Sequence, residues 1–374
     1  MNEPSKNTLS GEELSRFHRD GYLLIPSVFS PDEMNAFESA GRASPGTVNA
    51  NTLLSLVPGL QDLWCDPRLV AIAKSLLGST PVFFGEANYA RYTFKAGENM
   101  KGRHLHHDAK GTRENIFNRL HDVLHFTYPV VRLGVYFQDY REQSGGLKVT
   151  PGSHRTATHQ FHDAQFEHVN IASKPGDVVC FTLRILHSPF GMRLKSDPAL
   201  ALAPSQEEKL FSKNPDLFLP SPVEREAMFI DFAACHELAD IHIKSRALNT
   251  RNAKEGIASL LSDGVFRDRA AREGVGLRYD LAIVETIVAL SNAARSDGLR
   301  PQDYSYLEML SSLCKKNEEW SDYFPIGPRI IPDYSAGAAS ELYSCIVGQI
   351  NAYDSMKNRY IKDEHMFLEQ AANA

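Results

Sequence analysis

The middle of the chain constrains the fold most strongly, because β-prone runs recur there with no helical crossover between them. These runs are rich in valine, phenylalanine, tyrosine and threonine, are bounded by Gly, Pro or Asp turns, and occupy residues 82–94, 130–138, 147–149, 177–186 and 227–232. Short strands that follow one another without intervening helices are typical of an antiparallel sandwich or barrel. Residues 81–235 therefore predict a β core of that kind.

Helical signals flank this core on both sides. Ser10 and Glu13 form a capping-box pattern, Ser30 precedes a proline at a first helical position, and a helix over 67–77 should end at Gly78. Helical patterning returns after residue 235, most clearly as an apolar stripe over 280–294. We therefore expect a domain over 1–235, with an insertion at about 196–221, and a helical extension over 236–374. That extension should pack on the core or at a homo-oligomer interface.

Composition limits the cellular compartment and the classes of binding partner that we expect for this chain. The formal net charge is −6, which argues against a dominant nucleic-acid footprint. Five cysteines are scattered without a Cys-x-x-Cys pair, which favours reduced thiols in the cytoplasm. No stretch approaches the roughly 20 apolar residues of a membrane span, and the first residues lack the apolar run of a signal peptide. The sequence predicts a cytoplasmic protein without nucleic-acid or membrane partners.

Most of the histidines lie in one stretch in the middle of the chain. Ten of the fourteen lie between His104 and His187, so metal or acid–base chemistry is sought in that stretch. His106 and Asp108 are two apart and share a face of an extended strand. His187, after the apolar run 178–186, is the natural third ligand. Two histidines and one carboxylate form the facial triad of non-haem Fe(II) oxygenases, with open positions for co-substrate and oxygen.

Five pieces in a fixed order give this pattern its specificity. The pieces are Phe17-His18-Arg19-Asp20-Gly21-Tyr22-Leu23-Leu24-Ile25-Pro26, Phe29-Ser30-Pro31-Asp32-Glu33, His106-His107-Asp108, Gly145-Gly146-Leu147-Lys148-Val149-Thr150-Pro151-Gly152-Ser153-His154, and Pro175-Gly176-Asp177-Val178-Val179 leading to His187. With these pieces, residues from about 14 to 235 resemble the phytanoyl-CoA dioxygenase family of Fe(II)- and 2-oxoglutarate-dependent oxygenases.

The resemblance implies a fold, cofactors and site residues. The fold is α+β, a double-stranded β-helix (jelly-roll, cupin-like) core, and the iron ligands are His106, Asp108 and His187. Fe(II), 2-oxoglutarate and O2 are the cofactor and co-substrates. An arginine on a late strand holds the distal carboxylate of 2-oxoglutarate. Arg225 is preferred because residues 225–233 match the ending of that strand, whereas Arg193 is the alternative nearer to His187.

Further residues are candidates on the same basis. Tyr89 and Arg91 lie on a strand leading towards the triad, where relatives contact 2-oxoglutarate or substrate with a polar side chain. Arg132 and Tyr136 share a strand face and are candidate pocket-lining residues. The implied activity is hydroxylation of a small-molecule metabolite with release of succinate and CO2. Related halogenases lack the carboxylate that Asp108 provides, so its presence favours hydroxylation or another oxidation such as desaturation.

Two other functions remain open at this point. The same barrel could serve a non-catalytic binding or assembly protein, with the extension over 236–374 as its interaction surface, because fold does not fix function. A cupin-type metalloenzyme could instead use His104, His106 and His187 without 2-oxoglutarate. Iron-dependent formation of succinate separates all three.

Overall fold

A computed structural model describes residues 8–44, 50–54, 57–95, 105–108, 130–155, 166–234 and 264–277. The flanking N-terminal helices are α1 (Gly11–Asp20), α2 (Pro31–Ala43) and α3 (Pro67–Leu77), and strand β1 (Tyr22–Ile25) lies between the first two. The predicted capping box is present, with Ser10 Oγ accepting from the Glu13 amide at 3.2 Å. Ser30, predicted to precede the first helical proline, caps α2 and also forms a capping box, its Oγ accepting from the Glu33 amide at 3.3 Å. The predicted helix starts are thereby confirmed, as is the end of α3 before the left-handed Gly78.

The larger of the two sheets in the described chain has seven strands. Its order is β1-β7-β4-β9-β3-β10, with β2 also paired to β3, and every pairing is antiparallel except that of β10 with β3. The bounds are β2 (Ala50–Leu53), β3 (Val82–Thr93), β4 (Val130–Tyr136), β7 (Val178–Thr182), β9 (Glu224–Ala233) and β10 (Gly276–Leu277).

A second sheet of three antiparallel strands has the order β6-β5-β8. These strands are β5 (Gly146–Val149), β6 (Val169–Asn170) and β8 (His187–Gly191). Two sheets accompanied by helices confirm the α+β class. None of the helices in the described residues is long and apolar enough to cross a membrane.

The core lies between the two sheets. Alternate residues of a strand point to opposite faces, and directly paired residues share a face. Tyr136, Phe181 and Ala227 project from one face of the large sheet and pack with Leu147 and Val149 of the small sheet. We call this the inner face of the large sheet. The opposite, outer face carries α2 close against β3, because a Cβ at Gly41 would lie 2.3 Å from the Tyr89 ring.

The predicted insertion at about 196–221 contains helix α4 (Pro204–Lys213). Glu207 of this helix pairs with Lys148 of β5, and both side chains are buried. Glu207 Oε1 also accepts a hydrogen bond from the Met192 amide at 3.3 Å. A charge pair buried on both sides holds only with good geometry, so α4 is fixed to the small sheet at this point.

One piece of the C-terminal region belongs to the same compact unit as the sheets. It consists of helix α5 (Gly264–Glu273) and strand β10. The ring of Phe266 lies 4.2 Å from Trp64, which stacks at 4.8 Å on Phe83 of β3. Residues 109–125, 240–263 and 278–374 lie outside the described residues, and the helix predicted over 280–294 falls among them.

Candidate metal centre

A short backbone pairing brings the two parts of the predicted triad together. The His106 amide donates to the His187 carbonyl at 2.9 Å, and the His187 amide donates to the His106 carbonyl at 2.8 Å. The segment 105–108 therefore lies alongside the start of β8, and the two imidazole centroids are 4.4 Å apart. Residues 81 positions apart in sequence thus become neighbours through two reciprocal hydrogen bonds.

Asp108 completes the cluster. Its Oδ1 lies 3.6 Å from His106 Nε2, and its Oδ2 lies 3.7 Å from His187 Nε2. One ligand atom from each of the three side chains lies within 4.8 Å of the others. Two imidazoles and one carboxylate at this spacing can hold a divalent transition metal from one side.

His187 is prepared to act as a neutral ligand. Its Nδ1 is 3.1 Å from the Ile185 carbonyl, an acceptor only, so Nδ1 carries the proton and Nε2 presents its lone pair. Burial lowers the pKa of His187 to about 4, although the nearby Asp108 charge acts in the opposite direction. The imidazole is therefore uncharged at neutral pH, as metal binding requires.

The local chain path around His187 differs from the predicted one. The apolar run 178–186 is not one strand, because β7 ends at Thr182 and a turn precedes β8, which begins at His187 itself. Arg184, in this turn, is buried and donates from Nε to the His154 carbonyl at 3.0 Å. His154 is buried as well.

Arg132 joins the cluster from β4. Its Nη1 contacts Asp108 Oδ2, while Nε and Nη2 donate to the carboxylate of Asp231 at 2.7 and 2.8 Å. Burial by itself lowers the pKa of Arg132, but the charges of Asp231 and Asp108 outweigh it and raise that pKa. Sequence reasoning placed Arg132 near the pocket but missed Asp231, which lies 99 residues away from it. The available signal was an acidic residue inside the apolar strand β9.

Arg225 lies on the inner face of β9, as Arg132 does on β4. It is buried, donates from Nε to the Gly145 carbonyl at 3.2 Å, and stands between the rings of Tyr136 and Phe190 at 5.3 and 4.9 Å. The hydroxyl of Tyr136 is buried and makes no hydrogen bond within the described residues. Burial raises the pKa of Tyr136, against the effect of the nearby Arg225 charge.

Arg193 lies beyond the end of β8 and is also buried. Its Nη1 is 3.4 Å from the carbonyl of Asn170 on β6, and its Nε has no partner within the described residues. Its side chain therefore contacts the small sheet, whereas Arg225 projects from the large sheet on the same face as Arg132. His104, the remaining candidate ligand, lies outside the described residues.

Tyr89 and Arg91 occupy the outer face of β3. Register pairs them with Met228 and Glu226, which alternate with the inward-facing Arg225. The Arg91 guanidinium donates to Glu224 at 2.9 and 2.7 Å, and the Tyr89 hydroxyl donates to Glu226. The predicted contact of these two side chains with 2-oxoglutarate is not supported by this placement, because both are turned away from Asp108 and hold carboxylates of β9.

The part of the chain that carries these motifs is similar to known proteins. Residues 17–192 match the model of the phytanoyl-CoA dioxygenase (PhyH) family. Ectoine dioxygenase from Sphingopyxis alaskensis is 24% identical over 166 residues, which cover 40% of this chain and 51% of that protein. The chain thus spans about half the length of the curated relative that it matches.

Solved structures give weaker likenesses. EctD from S. alaskensis with 2-oxoglutarate and 5-hydroxyectoine has 19% identity and a TM-score of 0.44, covering 62% of this chain and 79% of that one. The carbocyclase SnoK from nogalamycin biosynthesis has 17% identity and a TM-score of 0.41, covering 60% and 84%. Both scores lie below 0.5, and no conclusion on fold or activity follows from them. The family match stands on the sequence, and the predicted resemblance is confirmed: residues 17–192 carry the sequence pattern of the phytanoyl-CoA dioxygenase family.

Proposed function

We propose that this chain is an Fe(II)- and 2-oxoglutarate-dependent oxygenase on a double-stranded β-helix core, hydroxylating a small-molecule metabolite with release of succinate and CO2. The observation that carries the proposal is the convergence of His106, Asp108 and His187. The family match over residues 17–192 includes all three.

The triad fits the metal in its donor set and its charge. Two imidazole nitrogens and one carboxylate oxygen suit Fe(II) and leave positions for other ligands. His187 is held neutral and oriented by the Ile185 carbonyl, and Arg132 orients the Asp108 carboxylate. Held by these residues, Fe(II) with 2-oxoglutarate and O2 would supply the oxidising chemistry, and the chain would supply placement and exclusion of water.

Arg225 fits the distal carboxylate of 2-oxoglutarate. Within the described residues no carboxylate pairs with this buried guanidinium, and a buried charge without a counter-charge is costly. The Tyr136 hydroxyl beside it is a second buried donor without a partner in the same part of the chain. An incoming carboxylate would satisfy both groups, since a guanidinium can grip it with two parallel hydrogen bonds.

The cellular setting is a further part of the proposal. Cys65 and Cys180 are free thiols buried in the described chain, as expected in a reducing compartment. We therefore place the protein in the cytoplasm. Assembly through the region after residue 235 stays a prediction, because that region lies largely outside the described residues.

The proposal is tested by loading purified protein with Fe(II), or with Mn(II) or Co(II) as substitutes. Metal should raise the melting temperature, because it binds the folded state, and Asp108→Ala should remove most of that gain. His168→Gln is the matched control, since this histidine bonds Thr150 at 3.0 Å and does not belong to the triad. An unchanged metal response in Asp108→Ala would exclude Asp108 as a ligand.

Product analysis separates the enzyme from its rivals. The wild-type protein should release succinate from 2-oxoglutarate only with Fe(II) and O2. A binding or assembly protein releases none. A cupin-type enzyme oxidises its substrate without consuming 2-oxoglutarate, so either result would contradict the proposal.

A further inference from the structure

Asp231 and Arg132 form a charge pair across the inner face of the large sheet. They are directly opposite each other in the ladder between β4 and β9, and both oxygens of Asp231 accept from Arg132, at 2.7 and 2.8 Å. The Asp231 side chain is 2% exposed and that of Arg132 17%. Two parallel hydrogen bonds on a buried carboxylate fix the plane of the guanidinium.

The same guanidinium reaches the triad with its remaining nitrogen. Nη1 contacts Asp108 Oδ2, so Asp231, Arg132 and Asp108 form one continuous chain of charge-assisted hydrogen bonds. Asp231 does not belong to the group of possible metal ligands in the described residues, which consists of the triad alone. Its influence on a metal must therefore pass through Arg132.

This arrangement solves an electrostatic problem of the site. A guanidinium is permanently charged, and in a buried setting it repels a divalent cation bound to the neighbouring Asp108. The carboxylate of Asp231 balances that charge, with a smaller contribution to the Arg132 environment from the buried Glu86. The Asp108 carboxylate can then be held in place by Arg132 without losing its attraction for the metal.

Resting on the proposed function, we infer that Asp231 is a positioning residue of the metal centre: it holds and neutralises Arg132, which in turn fixes one oxygen of Asp108. The other oxygen, Oδ1, lies on the side of His106 Nε2. Partners of metal ligands commonly contribute about 10–100-fold to metal affinity. Loss of the Asp231 charge should therefore lower the affinity of the site for the metal, although all three ligands are unchanged.

The test is the Mn(II) dissociation constant, measured by the loss of the free-ion signal in electron paramagnetic resonance at a temperature where each variant is folded. Asp231→Asn keeps the shape and removes the charge, and we expect its Kd to rise about 10–100-fold. Glu226→Gln is the matched control. That carboxylate is buried on the same strand but on the outer face, where it accepts from Arg42 at 2.9 Å. Its variant should bind Mn(II) as the wild type does.

The Mn(II) dissociation constant of Arg132→Lys is a second test, which does not require the Asp231→Asn variant to fold well. Lysine keeps the charge beside Asp231 but cannot bridge two carboxylates in a planar fork, so Mn(II) should again bind more weakly. Wild-type Kd values in both variants would overturn the inference. A wild-type protein whose Mn(II) binding is absent or indifferent to Asp108→Ala would instead contradict the proposed function itself.

Discussion

The two faces of the large sheet use buried charge in different ways. On the outer face, Glu226 accepts from Arg42 of α2 and from Tyr89, while Glu224 accepts from Arg91. Each of these arginines has a carboxylate of β9, and the contacts tie β3, β9 and α2 together. On the inner face, Arg132 is balanced by two carboxylates, but Arg225 has none within the described residues.

The difference separates structural from functional charge. An outer-face cation is satisfied by its carboxylate when the protein folds and so contributes to stability, whereas Arg132 also orients a metal ligand because one of its two carboxylates is Asp108. A buried cation lacking such a partner is satisfied only by a ligand, so its contribution is to binding. Arg225 and Arg193 both meet this criterion, but only Arg225 shares the inner face of the large sheet with Arg132, so it marks the anion-binding part of that face. The outer-face pairs mark the attachment of α2.

The largest expected effect is on 2-oxoglutarate binding. Arg225→Ala should weaken it by about 2–5 kcal/mol, because a buried contact between opposite charges is lost. Arg91→Ala, on the outer face of the adjacent strand, should leave the affinity unchanged. Calorimetric titration of the Mn(II)-loaded variants measures both, with Arg193→Ala as a third arm. An effect of Arg193 larger than that of Arg225 would reassign the anchor and remove the contrast between the faces.

A smaller effect is expected where α2 meets the outer face. A Cβ added at Gly41 would lie 2.3 Å from Tyr89 Cζ, so Gly41→Ala should lower the free energy of unfolding by about 1–3 kcal/mol through overpacking. Gly11→Ala in α1 is the control, because a Cβ there meets no atom within 4 Å. Urea denaturation compares the two. Equal stability would show that α2 is not packed closely on the outer face.

The smallest effect is expected at the rim of the outer face. Glu224→Gln removes the carboxylate paired with Arg91, but the two side chains are 26% and 22% exposed. Solvent screening limits such pairs to roughly 0–1 kcal/mol of stability. Urea denaturation should thus show little change, with 2-oxoglutarate affinity intact. A marked loss of 2-oxoglutarate affinity would return Arg91 to the binding site.

Local signals predicted the helices and the order of the site motifs well. Ser10, Ser30 and Gly78 act through contacts within one helical turn, so their effect is visible in sequence. The turn before His187 was missed, because the apolar run through Ile185 is compatible with either a continuous strand or two strands. The residues before and after this turn are all buried, so no change in hydrophobicity marks the turn in the sequence.

The faces of the strands could not be assigned from sequence either. In β3 both alternating sets contain polar and aromatic side chains, so the pattern does not say whether Tyr89 or Tyr92 faces the core. The register also shifts between Phe83 and Ala87, around Gly85 with φ 89°, which breaks simple alternation along the strand. Asp231 was missed for a related reason, since its partner Arg132 is defined only by the pairing of β9 with β4.

The assignment of the metal and 2-oxoglutarate site is tested most directly by an anaerobic calorimetric titration of 2-oxoglutarate into the protein with and without Fe(II). We predict tight, metal-dependent binding to the wild type, because the keto acid must engage the metal and Arg225 together. Binding should be weakened by Arg225→Ala and lost in Asp108→Ala. Equal binding with and without Fe(II), or no binding to the Fe(II)-loaded wild type, would contradict the assignment of the site.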